Sequence, residues 1–502
     1  MTVRCAGARR MPTAATLAIL FCGCTVGPDF HKPAAPEIGG YTAAPLSSPV
    51  ATPNVVGGES QRFVQELQIS ANWWTLFQSP PLNALVERAL ANNHDVKAAQ
   101  AALTVARENV LSQRGAYYPT VTGAFSAARS KTSQALAPTP NSGAFYYSLY
   151  TPQVSVSYAS DVFGLNKRTV EALQAQEQQT RFELLAAQVA LTANVVAAAI
   201  QEASVREQID ATNTLIDLNI RALAVLRQQL DRGYASRLDV AAQEAQLAQV
   251  TAALPQLLKQ LSQQRDLLAA LAGSFPSQGS SERFELSQLH LPTELPLSLP
   301  SRLVEQRPDV RQAEENLHET SAQIGIAVAN RLPSFVLSAD AGASALALSD
   351  LFSGGTGFWD LGASVTQPIF QGGTLLHRER AARAAYEQAS EQYRSTVLGA
   401  FQNVADTLNA LEHDADSLKA SAAAAAAART TLDLVQRQQH AGYANYLQLL
   451  NAEQTYQQAV LGQLQAQTSR FADTAALFLA LGGGWWNRED LTMSDPRDDT
   501  RR

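Results

Sequence analysis

The sequence predicts a mixed α/β membrane protein that is internally duplicated, with four membrane strands and two long helical hairpins in each chain. Three observations support this fold class. Motifs recur in the same order in both halves, two 68-residue runs have helical composition, and four segments of about ten residues alternate apolar with polar side chains. Each half should therefore form a β-hairpin, a long helix and a returning helix.

The duplication is visible as matching motifs at nearly constant spacing. Residues 93–99 match 307–313 at an offset of 214, and residues 233–235 match 442–444 at an offset of 209. The chain is therefore expected to divide into consecutive parts. These are a signal peptide over 1–23, a lipidated segment over 24–80, a first repeat over 81–291, a second repeat over 292–484 and a flexible tail over 485–502.

The N-terminus has the layout of a bacterial export signal. Arginines precede an apolar stretch over 14–21, which is too short to span a bilayer. The next residues, Phe21-Cys22-Gly23-Cys24, resemble a lipobox in which Cys24 becomes the lipidated first residue, and Thr25 is typical of sorting to the outer membrane. A covalent lipid on Cys24 is thus expected, and no other cofactor. The alternative is an idle cysteine in an ordinary signal peptide.

Two runs dense in Ala, Leu, Gln and Glu predict the long helices, over 165–232 and 374–441. Only Gly399 interrupts them, and at 1.5 Å per residue each would be about 100 Å long. Gly233 and Gly442 follow, where a helix C-terminus favours a left-handed residue. Return helices are expected over 234–272 and 443–481, and a shorter helix over 308–331 opens the second repeat.

Alternating apolar residues predict β-hairpins over 119–163 and 333–370. Four strands cannot close a barrel, and an open edge in lipid leaves backbone amides unpaired, so the chain must oligomerise. Two copies would supply eight strands and three would supply twelve, and the arithmetic alone does not choose. The residues expected to share one face are Val121, Gly123, Phe125, Ala127, Val154, Val156, Tyr158, Phe335, Leu337, Ala339, Ala341, Leu361, Ala363 and Val365.

Composition and motifs exclude several function classes. The chain has 38 basic and 45 acidic residues and no basic run, so nucleic acid is not expected as a partner. All three cysteines lie in the first 24 residues, which excludes a disulfide scaffold, a zinc ribbon and a thiol enzyme. No catalytic motif or glycine-rich phosphate loop occurs, and the protein is not expected to be an enzyme.

Two polar clusters are candidate metal sites. Glu315 and His318 have the spacing of a helical di-iron pair, but no second pair exists, and an exposed helix face is expected instead. The acidic segment 412–416 is likewise expected to be exposed helix surface. The sequence therefore predicts no metal site.

Several motifs together resemble the outer-membrane efflux lipoproteins, the family of NodT and OprM related to TolC. The resemblance implies a trimeric twelve-stranded β-barrel in the Gram-negative outer membrane that continues into a twelve-helix periplasmic tunnel. It implies passive conduction of drugs or toxic compounds, with a periplasmic adaptor and an inner-membrane transporter of the RND type as partners. The motifs that carry it are residues 24–30, 73–77, 81–86, 161–164, 307–311, 324–325, 368–373 and 480–485.

The same resemblance locates a gate just after the second helical tip. The family commonly reads Tyr-Leu-x-Leu-Leu-Asp-Ala-Gln-Arg there, whereas this chain has Asn451 in place of the Asp and Gln454 in place of the Arg. We therefore expect Leu447 to carry more of the closure, and the gate to respond little to salt and pH. The alternative is that these residues only pack the coiled coil.

The tips of the helical hairpins are the expected contacts for the adaptor, through Gly233 and Tyr234 in the first repeat and Gly442 and Tyr443 in the second. The alternative function is that of an anchored coiled-coil protein with a structural or adaptor role. It would explain the long helices and the lipid, but not the four alternating strands or their duplication.

Overall fold

A computed structural model of the chain describes residues 25–43, 45, 49–132, 146–278 and 282–488, apart from the side chain of His440. Cys24, the expected signal peptide over 1–23, part of the first hairpin loop and the tail from 489 onward lie outside the described residues. The described chain folds into helices and two small sheets.

Two helices of 67 residues dominate the secondary structure, α3 and α7. Their composition explains their length, because good helix formers fill them and glycine interrupts only α7. The helices are α1 (Pro80–Asn92), α2 (His94–Arg114), α3 (Leu165–Asp231), α4 (Arg237–Leu271), α5 (Pro300–Gln306), α6 (Pro308–Ala329), α7 (Thr374–His440) and α8 (Tyr446–Ala480).

The return helices α4 and α8 both begin three residues later than the sequence predicted, because a turn and a capping box come first. The Ser236 hydroxyl accepts a hydrogen bond from the backbone N–H of Asp239 at 3.1 Å, and the Asp239 carboxylate accepts one from the backbone N–H of Ser236 at 2.9 Å. Asn445 and Gln448 form the same box before α8. These boxes satisfy N–H groups that the first helical turn leaves unpaired.

Six strands form two sheets. A short parallel pair joins β1 to β4, and the four longer strands form an antiparallel sheet in the order β2-β3-β5-β6. The strands are β1 (Arg62–Gln65), β2 (Thr120–Lys131), β3 (Tyr146–Ser160), β4 (Glu294–Leu297), β5 (Ser334–Ala343) and β6 (Gly357–Thr366).

The chain separates into two compact units, and each unit takes segments from both sequence repeats. The first consists of Met1–Pro33, Leu103–Gln179 and Ala313–Tyr393, and it contains the four-stranded sheet. The second consists of Ala34–Ala102, Thr180–Gln312 and Arg394–Arg502, and it contains α4, α8 and the short parallel sheet. The compact units therefore cut across the duplication.

Aromatic packing forms the core of the second unit. The rings of Trp73 and Phe478 stack with centroids 5.1 Å apart, and Phe77, Phe471 and Leu82 are fully buried near them. The same unit contains most of α3, which includes an apolar window long enough to cross a membrane, but 67% of that window is buried inside the protein. Such burial is typical of a helix that packs against other helices.

Candidate channel wall and gate

The four-stranded sheet has one apolar face. Backbone register places Val121 opposite Val156, Val156 opposite Ala339, and Ala339 opposite Leu361. The strand faces predicted from the sequence are therefore confirmed. Large side chains on this face are exposed in the single chain, and they include Val121, Phe125, Val154, Leu337, Trp359, Leu361 and Val365.

The opposite face of the sheet is polar. The Ser155 hydroxyl donates a hydrogen bond to Asp340, and Asp340 lies directly opposite Asp360 on the neighbouring strand. A sheet with one apolar and one polar face suits a wall between lipid and a water-filled passage. Its two outer strands have no partner on their far sides in the described chain, since β2 pairs only with β3 and β6 only with β5.

Both helical hairpins end in a glycine turn, as the sequence predicted. Gly233 has φ of 76° and Gly442 has φ of 80°, a conformation that costs little without a Cβ. At each tip the two residues after the long helix donate backbone hydrogen bonds to its last carbonyls. Tyr234 is 83% exposed and Tyr443 is 87% exposed, so both rings are accessible on the single chain.

The three expected gate residues lie along α8 but have different surroundings. Leu447 is 62% exposed, and Asn451 is also exposed. Gln454 is half-buried, and its Nε2 donates a hydrogen bond to Oε1 of Gln246 on α4 at 2.9 Å. Leu447 and Asn451 are thus largely accessible in the described chain, whereas Gln454 forms a hydrogen bond between the two hairpins.

Sequence reasoning missed a buried polar network beside these residues. Gln243 on α4 is fully buried, donates from Nε2 to Oδ1 of Asn219 on α3 at 2.9 Å, and accepts a hydrogen bond from the Tyr446 hydroxyl. The signal was present, because Val240, Gln243 and Gln246 follow the helical spacing of a buried stripe. A glutamine in such a stripe indicates a buried hydrogen-bond partner.

The expectation that Glu315 and His318 lie on an exposed helix face is wrong. His318 is half-buried, and its ring nitrogens each lie 3.2 Å from a carboxylate oxygen, one of Glu171 and one of Glu315. Burial opposes the charge, but these two hydrogen bonds outweigh it and raise the pKa of His318 to about 9. The ring of Phe30 stacks on the imidazole with centroids 4.4 Å apart.

Phe30 belongs to an N-terminal strap, defined here as residues 25–30. Arg168 of α3 is almost fully buried and donates to the backbone oxygens of Val26 and Gly27 and to the Asp29 carboxylate. Gly27 also lies against Gly325, and a Cβ added at Gly27 would be 2.4 Å from the Gly325 Cα. Gly27 and Gly325, which come from two of the motifs, are therefore in contact in the first unit.

The expectation of exposed surface is also wrong for Glu412 and Asp414 of the acidic segment, which are both partly buried. Asp414 is half-buried, and burial together with a hydrogen bond to Asp473 raises its pKa to about 7. Arg470, which is fully buried, lies close enough to oppose this rise. Among the described residues no group of three or more His, Cys, Asp or Glu side chains is arranged to hold a metal ion.

The sequence also matches a known family. The model of the family described as "Outer membrane efflux protein" matches residues 85–274 and 299–483, one stretch in each sequence repeat. The chain belongs to this family.

Curated relatives and a solved structure agree with the match. The antibiotic efflux pump outer membrane protein ArpC and the toluene efflux pump outer membrane protein TtgC, both of Pseudomonas putida, are each 28% identical over 482 residues, covering 94% of this chain and 95% of the relative. The outer-membrane channel OprN has a TM-score of 0.82 and 26% identity, covering 92% of this chain and all of OprN.

These comparisons confirm the predicted fold class and function. The chain has the fold of an outer-membrane efflux channel. It is the outer-membrane exit duct of an efflux pump, and the duct extends into the periplasm. Membership of this family also confirms that the protein is not an enzyme. The alternative of an anchored coiled coil without a barrel is therefore rejected.

Proposed function

We propose that three copies of this chain form one duct, with twelve strands in the outer membrane and twelve helices in the periplasm. The two-faced sheet with open edges at β2 and β6 supports an oligomer, because a single chain leaves both edge ladders unpaired in lipid. Membership of the outer-membrane efflux family favours three copies over two. Neighbouring copies pair those edges and keep the apolar face toward lipid. The polar face, with Asp340 and Asp360, then lines the passage.

The cargo we propose is small organic molecules such as antibiotics and aromatic solvents. The names of two relatives support this class, since ArpC is an antibiotic efflux protein and TtgC a toluene efflux protein. A passage lined by strand residues needs no specific ligand pocket. An inner-membrane transporter of the RND type would supply the energy and the selection, and the duct would conduct passively.

A periplasmic adaptor would contact the helical tips. Tyr234 and Tyr443 support this assignment, because each presents an exposed aromatic ring at a rigid turn. Gly233 and Gly442 permit the turns and so position both rings. Aromatic side chains of this kind are enriched in protein interfaces.

The gate would be a ring of Leu447 residues from three chains, with Asn451 and Gln454 beside it. The exposure of Leu447 in the single chain supports this, because an apolar side chain that is 62% exposed is available to meet its copies. Leu447 and Asn451 are four residues apart and share one face of α8. A ring of this composition closes by excluding water.

A lipid on Cys24 would anchor the chain beside the barrel. Thr25, the next residue, lies between the end of β3 and the start of α3, where the Lys167 ammonium donates to its hydroxyl at 3.1 Å. The backbone N–H of Val26 donates to the Phe163 carbonyl at 3.2 Å. Acyl chains attached to Cys24, one residue earlier, would therefore enter the bilayer near the C-terminal end of β3.

Electron microscopy of the detergent-extracted protein tests the trimer. A hollow particle with three-fold symmetry is expected, and a solid rod or a particle of other symmetry would contradict the duct of three chains. For the lipid, the variant Cys24→Ala should stay in the membrane through its barrel but lose the acyl mass. A mass difference no larger than the cysteine-to-alanine replacement itself would show that Cys24 carries no lipid.

A further inference from the structure

Glu453 is a buried carboxyl group beside the proposed gate. It lies on α8 between Asn451 and Gln454, is only 6% exposed, and has no hydrogen-bond partner for Oε2 among the described residues. Burying an ionised carboxylate without a compensating charge is unfavourable. Glu453 therefore resists ionisation as long as α8 stays packed where it is.

The surroundings of Glu453 are polar but offer no positive charge. Gln243 of α4 is the hydrogen-bond partner of Glu453. Gln243 also donates a hydrogen bond to Asn219 of α3 and accepts one from the Tyr446 hydroxyl. Two other titratable groups lie here, Tyr446 on α8 and Asp239 on α4. The Tyr446 hydroxyl interacts electrostatically with both Asp239 and Glu453. Within the described chain, no arginine or lysine forms an ion pair with Glu453 or offsets its burial.

The first repeat contains the matching residue in a different environment. Glu244 corresponds to Glu453 at the repeat offset of 209. Its side chain is 48% exposed and forms an ion pair with Arg227 at 2.7 Å. Two equivalent acids in one chain thus differ in burial and in charge partner, and only the one beside the proposed gate is buried without a cation.

We propose that Glu453 is a proton-controlled positioning residue for the gate. In its neutral form it packs with Gln243 and keeps α8 against α4, so that the tip stays closed. In its ionised form it requires water, and α8 separates from α4 so that the gate residues withdraw from the axis. The proposal rests on the gate assignment made above.

The direction of the pH effect follows from the burial of Glu453 in the closed form. Burial raises its pKa from 4.5 to about 7, although the hydrogen bond from Gln243 partly opposes the rise. An acid with a raised pKa in the closed form disfavours that form as pH rises. Opening should therefore increase from about pH 5 upward and level off above about pH 7. The gate residues Leu447, Asn451 and Gln454 carry no charge, so the pH response would come from Glu453, which lies beside the ring and not in it.

Single-channel recording of the full-length trimer in planar lipid bilayers tests the proposal. The ratio of open to closed time in the wild type should rise between about pH 5.5 and pH 8.5, by up to roughly thirtyfold for each Glu453 of the trimer that ionises. The variant Glu453→Gln should show a constant ratio, whereas Glu453→Asp keeps an acid and should retain a pH-dependent ratio. The matched control, Glu244→Gln, should keep the wild-type profile.

Three results would overturn the proposal. The first is a wild-type open-to-closed ratio that does not change with pH, a result that needs no variant. The second is a Glu453→Gln channel that keeps the wild-type pH profile. The third is a Glu244→Gln channel that loses this profile. Failure of the underlying gate assignment is distinguishable, because Leu447→Ala would then leave the open-to-closed ratio unchanged at every pH. A working Leu447 gate with a flat wild-type profile rejects only the role of Glu453.

Discussion

Gln454 on α8 donates its amide hydrogen to Gln246 on α4, and this 2.9 Å bond links the two helical hairpins of one chain. Gln246 is only 5% exposed, so its carbonyl oxygen has little access to water if the donor is removed. An unsatisfied buried acceptor costs about 1–3 kcal/mol. The link therefore stabilises the arrangement in which the hairpins lie together.

Replacing Gln454 with leucine should favour the open channel roughly tenfold for each chain, in line with a cost of about 1.4 kcal/mol per chain. The measurement is the open-to-closed ratio in planar bilayers. Gln458→Leu is the control, because Gln458 is an exposed glutamine on the same helix. If both variants behave alike, the hydrogen bond to Gln246 does not hold the hairpins together.

Truncation of Leu447 should open the gate without affecting the fold. Leu447→Ala removes apolar surface worth about 1–2 kcal/mol per chain from a closed ring. This favours opening by roughly five- to thirtyfold for each chain, so conductance and antibiotic leakage should rise. The closure should be equally strong in dilute and concentrated salt, because screening acts on charges and not on apolar contact.

The matched control for that experiment is Leu238→Ala. Leu238 occupies the equivalent position in the first repeat and is also exposed, but it lies on α4 and not in the proposed ring. Equal leakage in the two variants would mean that apolar surface at either tip matters and that Leu447 has no special role.

The two faces of the sheet should tolerate charge differently. Ala339 is on the apolar face of β5 and Ser338 is on the polar face. Ala339→Arg should destabilise the folded barrel by about 2–4 kcal/mol, whereas Ser338→Arg should change it little and alter ion selectivity instead. Urea titration of the protein in lipid vesicles measures the first effect. A larger loss for Ser338→Arg would reverse the assignment of the faces.

The elements that the sequence predicted are those set by local pattern. The faces of β2 and β5 follow from strict alternation, and the left-handed turn at Gly233 follows from a helix end that needs one. Each of these signals lies within about a dozen residues. No long-range contact was needed to place them.

The elements that the sequence did not predict depend on contacts between distant segments. Strands β1 and β4 have four residues each and pair across more than two hundred positions, so neither has a readable period. His318 lies on a helix that looks exposed by spacing, and its burial comes from Glu171 and from Phe30 near the N-terminus. Gln243 is buried only because α3 and α8 pack on either side of it.

The N-terminal strap should detach as pH rises. The pKa of His318 is raised from 6.5 to about 9 in the folded protein, so its charge stabilises the fold fully below about pH 6.5 and this stabilisation is lost as pH rises through 9. The loss is at most about 3 kcal/mol. Neutral His318 would keep at most one hydrogen-bond donor for its two carboxylates, and Phe30 would lose a cation beneath its ring.

Limited proteolysis of the strap measures this release. Cleavage within residues 25–33 of the wild-type protein should accelerate between pH 7 and pH 10, relative to cleavage of a peptide of the same sequence, which corrects for the protease. His318→Gln should be cleaved quickly at every pH, because Gln carries no charge. His413→Gln, at an exposed histidine of α7, should follow the wild type. A wild-type strap that is equally protected at pH 7 and pH 10 would show that Arg168 holds it without help from His318.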